Sequence, residues 1–230
     1  MSLRLLPLSL LLFVLPLRAG ETSWRLDPVH TQIQFSIDHQ AFNQSLGLFK
    51  IRTGALRFDD NDWSTAKLAV DIDSASILLG DAKWEETIRS WRFLDSKRWP
   101  LAHYRSLSVE KRAGDSGVIR GELTLHGQTR PLDIAFRLNK LGNDPYSFKR
   151  TAGFSATATL KRSDFGMDKV LSVVGDEVQL RLEVAAVRDR DADPDALAPA
   201  AAVSTDPQST DSLPTTPAPD QDGNDGTEKR

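Results

Sequence analysis

Between Val118 and Leu138, apolar residues occupy alternate positions on either side of a short break. Ile119, Gly121, Leu123 and Leu125 share one face, with Arg120, Glu122 and Thr124 on the other, which is the period-two pattern of a half-buried strand. His126-Gly127-Gln128-Thr129 interrupts the run, and Leu132, Ile134, Phe136 and Leu138 then alternate with Asp133, Ala135 and Arg137. The pattern predicts an antiparallel hairpin. Pro131 falls near the start of its second strand, where a missing N–H does least harm. A lone hairpin is unstable in water, so further strands must cover its apolar face.

The same period recurs along the chain. Ile33, Phe35, Ile37 and His39 share a face, and residues 49–53 and 56–58 follow, with Gly54 where the alternation changes phase as at a bulge. Ala66, Leu68, Val70 and Ile72 form another such face, and residues 101–109, 152–160 and 178–184 supply the remaining strands. Only one stretch changes period: Trp84, Ile88 and Trp91 stand at i, i+4 and i+7, which predicts a short amphipathic helix. The expectation is an all-β domain of about eight antiparallel strands with one short helix. Closing the sheet into a barrel removes its edges, and Gly54, Gly121 and Gly153 inside strands favour a barrel over a sandwich.

The two ends differ from this core. Residues 1–20 carry Arg4, an apolar run from Leu5 to Leu17 and small residues at Ala19 and Gly20, the layout of a secretory signal peptide. Export to a periplasmic or extracellular setting is therefore expected. The chain has no cysteine, so burial and hydrogen-bond ladders must hold the fold. From Asp189 to Arg230 there are no aromatic residues, six of the twelve prolines and a net charge of −7, the composition of a disordered acidic tail. Its alternating acids, Asp189, Asp191, Asp193 and Asp195, lack the spacing of a calcium loop and are read as solvated. Of the chain's net charge of −3, the core from Glu21 to Arg188 carries +2. That is no electrostatic footprint for nucleic acid.

Several motifs in the core resemble those of one known family. Leu26-Asp27-Pro28-Val29-His30-Thr31-Gln32-Ile33-Gln34-Phe35-Ser36-Ile37-Asp38-His39 resembles the opening motif of the YceI-like family of exported lipid-binding proteins. Leu123-Thr124-Leu125-His126-Gly127-Gln128-Thr129-Arg130-Pro131-Leu132 is similar to its hairpin turn. Phe93-Leu94-Asp95 with Trp99-Pro100, Arg162-Ser163-Asp164-Phe165-Gly166 and Val174-Gly175-Asp176-Glu177-Val178 follow in the family's order. The resemblance implies an extended lipocalin-like barrel holding an amphiphile such as a polyisoprenoid or a quinone tail. The chain departs from the family where Trp91 stands near the usual Asp, and where His103-Tyr104 replaces an aromatic or aliphatic residue followed by Phe. Trp91 and Tyr104 are expected to narrow or reshape the cavity.

A small barrel holds one ligand only if some inward side chains are small. Ala66, Gly121, Ala152, Ala156 and Ala158 leave room on the inward faces, while Phe35, Phe49, Phe136 and Phe154 line a slot. Ile37, Trp84, Ile88, Trp91, Phe93, Leu94 and Tyr104 complete the expected lumen and rim. The helix can equally be an ordinary core-packing element. His39 is either a ligand-head contact or a satisfied structural histidine, and Arg162 either meets a ligand or pairs with Asp164 or Asp176 to pin a loop. No phosphate loop, nucleophile elbow or zinc helix is present, and no metal or cofactor is expected. The expected function is carriage or sequestration of a hydrophobic small molecule, with transient membrane or membrane-protein contact for its transfer. The alternatives are a filled barrel serving interaction and, behind it, an enzyme acting on an isoprenoid lipid.

Overall fold

Alternation along the chain becomes ten strands in the computed structural model, which describes residues 22–197. The expected signal peptide lies outside the described residues, as does the chain after Leu197. The strands are β1 Thr22–Leu26, β2 Gln32–His39, β3 Asn43–Phe49, β4 Ile51–Phe58, β5 Lys67–Asp73, β6 Leu101–Lys111, β7 Ser116–Leu125, β8 Gln128–Asn143, β9 Arg150–Lys161 and β10 Val174–Arg188. Helix α1, Ala82–Arg89, interrupts them between β5 and β6.

All neighbouring pairs are antiparallel, and the sheet closes because β1 pairs with both β4 and β10. β1 and β2 lie in succession along β10, and only Lys50 separates β3 from β4. The wall is thus an eight-stranded barrel whose first two strands are each bent in the middle. Closure leaves its strands no free edge around this girdle. The hairpin read from the alternation is β7–β8, turned by His126 and Gly127, both with positive φ (52° and 73°). That is the geometry whose twist suits a two-residue hairpin turn.

Inward residues divide into two zones. At the end formed by the start of β5 and the close of β4, Phe58, Trp63, Phe136 and Phe154 pack ring against ring, with centroids 5.4–6.1 Å apart. Trp63 reaches this position from a single 3-10 turn, which Asp62 caps by accepting from the Ser64 N–H. Lys111 Nζ covers the exposed side of the indole at 4.6 Å. The alanines expected to leave lumen space, Ala66, Ala152, Ala156 and Ala158, pack in the same core cluster and do not line the apolar cavity of the barrel. Their small size accommodates aromatic rings, not a ligand. Gly121 likewise makes room for a neighbour, since a Cβ there would lie 2.4 Å from the Tyr104 hydroxyl.

The segment after β10 corrects the expectation of disorder for residues 189–197, while the rest of the expected tail lies outside the described residues. Residues 189–197 cross the outside of β1, β4, β5 and β6 as a strap. Asp189 binds Arg25 at 2.6 Å, Asp193 and Asp195 bind Arg57 at 3.1 and 3.2 Å, and Asp195 also binds Lys67 at 3.2 Å. Ala192 and Pro194 are buried, and Pro194 accepts a hydrogen bond from Arg105 Nη1. Beneath them, Ala55 and Ala69 are buried although they sit on the outward parity of their strands. Composition alone reads these acids as solvated; partner cations on three strands make them a clasp.

Two outcomes test this account. Trp63→Ala should lower unfolding stability by about 3–5 kcal/mol in urea titrations, because the rigid barrel end cannot collapse around the lost ring. The hydrogen bond from Lys67 leads the causes that hold Asp195 below the usual carboxylate range. A depressed pKa contributes stability above the unfolded value that is lost as pH falls through the folded one. Thermal stability should therefore drop below about pH 4, and the double variant Asp193→Asn/Asp195→Asn should flatten that part of the profile.

Candidate functional site

Opposite the aromatic plug, the barrel interior is not filled. A cavity of about 330 Å³ lies between the plug and the far end of the strands, within the range that takes small-molecule ligands. Its wall consists mostly of aliphatic side chains. Ile33 and Ile37 of β2, Val70 and Ile72 of β5, Leu123 and Leu125 of β7, Leu132 and Ile134 of β8, and Leu180 and Leu182 of β10 recur at alternate positions. Phe35 and Phe49 stand side by side in this wall, 5.5 Å apart, and Phe35 lies over Gly47, where a Cβ would meet its ring at 2.4 Å.

The mouth is built by three segments. Past Asp73 the strand wall is continued by residues 74–98, joined to β3 by the reciprocal Leu48–Leu78 backbone bonds. Helix α1 is capped by Asp81, whose carboxylate accepts from the Trp84 N–H at 2.8 Å, and Glu85 accepts from the N–H groups of Leu79 and Gly80. This anchoring presents Trp84, Thr87 and Ile88 to the cavity. Phe93 and buried Leu94 follow on the same side, the latter tied back by its N–H to the Ile88 carbonyl. The other two segments are the β2–β3 turn and the loop at 166–173, linked by the Gln40 N–H to the Val173 carbonyl.

Arg162 pins a loop, though through partners other than Asp164 or Asp176. Its side chain, only 3% exposed, donates from Nε to Gly175 O, from Nη1 to Met167 O and Lys169 O, and from Nη2 to Val174 O. Neither Asp164 nor Asp176 receives one of these bonds; Asp176 accepts instead from the N–H and hydroxyl of Ser163. Burial pushes the Asp176 carboxyl upward, but those Ser163 bonds and the nearby Arg162 charge outweigh it and hold the pKa low. One face of the guanidinium remains on the cavity wall, beneath Phe93 at 5.9 Å. His39 also lines the mouth, and its ring has no hydrogen-bond partner among the described residues. Tyr104 is buried deeper, donating to the Leu132 carbonyl at 3.1 Å, and burial raises its pKa so that it stays neutral.

Of the residues expected at the site, Phe35, Ile37, His39, Phe49, Trp84, Ile88, Phe93, Leu94, Tyr104 and Arg162 therefore meet around one cavity. Phe136 and Phe154 do not, being part of the plug. Trp91 does not either: α1 ends at Arg89, where the Ser90 N–H turns back to the Thr87 carbonyl, and Trp91 is left 65% exposed beside Arg92. The periodic pattern runs two residues past the helix that carries it, so its last member leaves the cavity. The aliphatic lining was missed because any single Leu or Val on an inward parity reads as ordinary core. The remaining histidines have local duties: His126 Nδ1 pairs with the Phe165 carbonyl, while His103 with Asp71 and His30 with Asp27 form short pairs outside the lumen. No group of three or more metal-ligating side chains occurs among the described residues.

Comparison with known proteins bears on this architecture. The model of the YceI-like domain matches residues 24–186. The chain belongs to the YceI-like family. A UPF0312 protein of Pseudomonas paraeruginosa is 38% identical over 69% of this chain and 82% of its own length. Protein YceI of Salmonella newport is 34% identical over 70% and 83%. Among solved structures, Burkholderia cenocepacia BcnA superposes with a TM-score of 0.62 at 24% identity, covering 70% of this chain and 98% of that one. A polyisoprenoid binding domain from Saccharophagus degradans, implicated in plant cell wall breakdown, reaches 0.57 at 12% identity over 74% and 100%. At these identities the structures establish the shared barrel fold of this YceI-like chain.

The loop-pinning role of Arg162 predicts a structural phenotype. Arg162→Met strands four carbonyls and should cost about 3 kcal/mol of stability. Amide exchange at residues 167–175 should accelerate at the same time. A residue serving only a ligand would leave both readouts unchanged.

Proposed function

We propose that this YceI-like protein is an exported carrier or sequestering protein that takes a long hydrophobic amphiphile, of isoprenoid or quinone-like class, tail first into the barrel. The observation that carries this reading is the apolar cavity itself, walled by aliphatic side chains and bordered by α1. Each methylene moved from water into such a wall contributes roughly 0.8 kcal/mol, so an alkyl or isoprenoid tail needs few polar contacts. The polar side chains near the mouth, His39, Ser45, Thr87 and Arg162, then face the head group. The structural neighbour named for polyisoprenoid binding supports the ligand class. The amino-terminal pattern supports a periplasmic or secreted setting.

The reading is one of binding, not catalysis. What supports binding is the predominantly aliphatic wall, whose apolar surface matches a hydrocarbon tail. A cavity of this volume also favours carriage over a filled barrel that serves only as an interaction scaffold.

Protein purified from its native compartment without detergent should release a stoichiometric isoprenoid or quinone into an organic extract, identified by mass spectrometry. Val178→Trp, which fills the wall near the mouth, should displace about two methylenes of the tail and weaken uptake of that lipid by over tenfold. An empty extract, together with failure to take up any apolar fluorescent probe, would reject the proposal.

A further inference from the structure

A second surface lies at the plugged end of the barrel, remote from the mouth. Lys149 and Arg150 at the start of β9 and Arg188 and Arg190 at the close of β10 line one shallow pocket together with Phe148. None of these four cations forms an ion pair or a side-chain hydrogen bond among the described residues. Many of the barrel's other arginines are paired with acids. The neighbouring carboxylates are committed elsewhere. Asp189 is bound by Arg25, and Asp144 accepts from the Tyr146 and Ser147 N–H groups within the β8–β9 turn.

That turn holds two aromatic side chains out in solvent, Tyr146 at 91% and Phe148 at 81% exposure. Phe148 does so from a left-handed backbone (φ 56°), a conformation that an aromatic residue rarely adopts. The turn is closed by paired bonds between Asp144 and Lys149 and between Phe148 and Asp144. Four cations without an ion pair among the described residues match the phosphates of an acidic lipid layer, although Lys149 also acts on Asp189 through space. Two rings on a rigid tip match its interfacial zone, where amphipathic aromatics settle. A free phosphate would use the cations and leave the rings in water.

We infer that the plugged end of the barrel docks on an anionic lipid surface, with the β8–β9 turn entering the head-group region and Lys149, Arg150, Arg188 and Arg190 resting on its phosphates. The inference uses nothing from the cavity and stands apart from the cargo proposal. Its geometric consequence is that the mouth faces away from the docked bilayer, toward whatever delivers or receives cargo.

Co-sedimentation of the full chain at low ionic strength tests this, using vesicles of phosphatidylcholine alone and of equal parts phosphatidylcholine and phosphatidylglycerol. Binding should be confined to the mixed vesicles. Each removed cation should lower partitioning about fivefold, so Arg188→Gln/Arg190→Gln should lower it about twenty-fivefold. Phe148→Ser should weaken it severalfold, and melting curves should show both variants folded. Equal binding to neutral vesicles, or no binding to either, overturns the inference. So does loss of binding in Phe42→Ser/Leu171→Ser, which removes two exposed apolar side chains from the β2–β3 turn and the 166–173 loop at the mouth, with retention in Arg188→Gln/Arg190→Gln. Displacement by inorganic phosphate with Phe148→Ser unaffected would reassign the surface as a small-anion pocket and equally overturn the bilayer assignment.

Discussion

An eight-stranded barrel encloses a fixed and narrow interior, and where the chain places its bulky side chains decides whether that interior is a core or a container. Here the rings of Phe58, Trp63, Phe136 and Phe154 are gathered at one end, and the other end is left to branched aliphatics. The plug gives the barrel a conventional, close-packed core. With stability secured there, the remaining interior need not be filled. The cavity is lined instead by aliphatics and by Phe35, Phe49 and Tyr104, with none of the plug rings in its wall.

The same division of labour explains the mouth. A barrel end open to water would leave strand termini frayed, and the loop at 166–173 has no sheet partner to order it. Arg162 supplies the order by spreading one guanidinium over four backbone carbonyls, while Asp176 fixes the Ser163 end. A charge satisfied by carbonyl dipoles can sit at an apolar wall without a carboxylate beside it, since burial lowers its pKa but leaves an arginine protonated. On the opposite rim, Asp81 and Glu85 fix the first turn of α1 and so the direction of Trp84. Both rims are therefore rigid backbone structures that hold apolar side chains toward one opening.

Outside the wall, the strap at 189–197 reinforces the place where the ring is closed by its shortest strand. β1 contributes only three register pairs to β10 and four to β4. The strap ties this seam to β4, β5 and β6 through acids that alternate with Ala192 and Pro194. Alternation here serves a purpose unlike that in the strands: one set of side chains reaches cations, while the other packs on Ala55 and Ala69.

The barrel class, the β7–β8 hairpin, the helix before β6 and the inward parity of Phe35, Ile37 and His39 were determined by the sequence alone, because alternation is a local property of each strand. Which inward residues share a level of the barrel was not. Phe136 and Ile134 have the same parity two residues apart on β8, yet one belongs to the plug and the other to the cavity wall. That assignment depends on strand tilt, on the register of each ladder and on the arrival of Trp63 from a turn outside the sheet. Helix length decided Trp91, and partner strands decided Asp189, Asp193 and Asp195 of the strap. The tertiary structure alone could place these residues, since their surroundings come from segments far away in the chain, and no local pattern records the charge or volume of a distant neighbour.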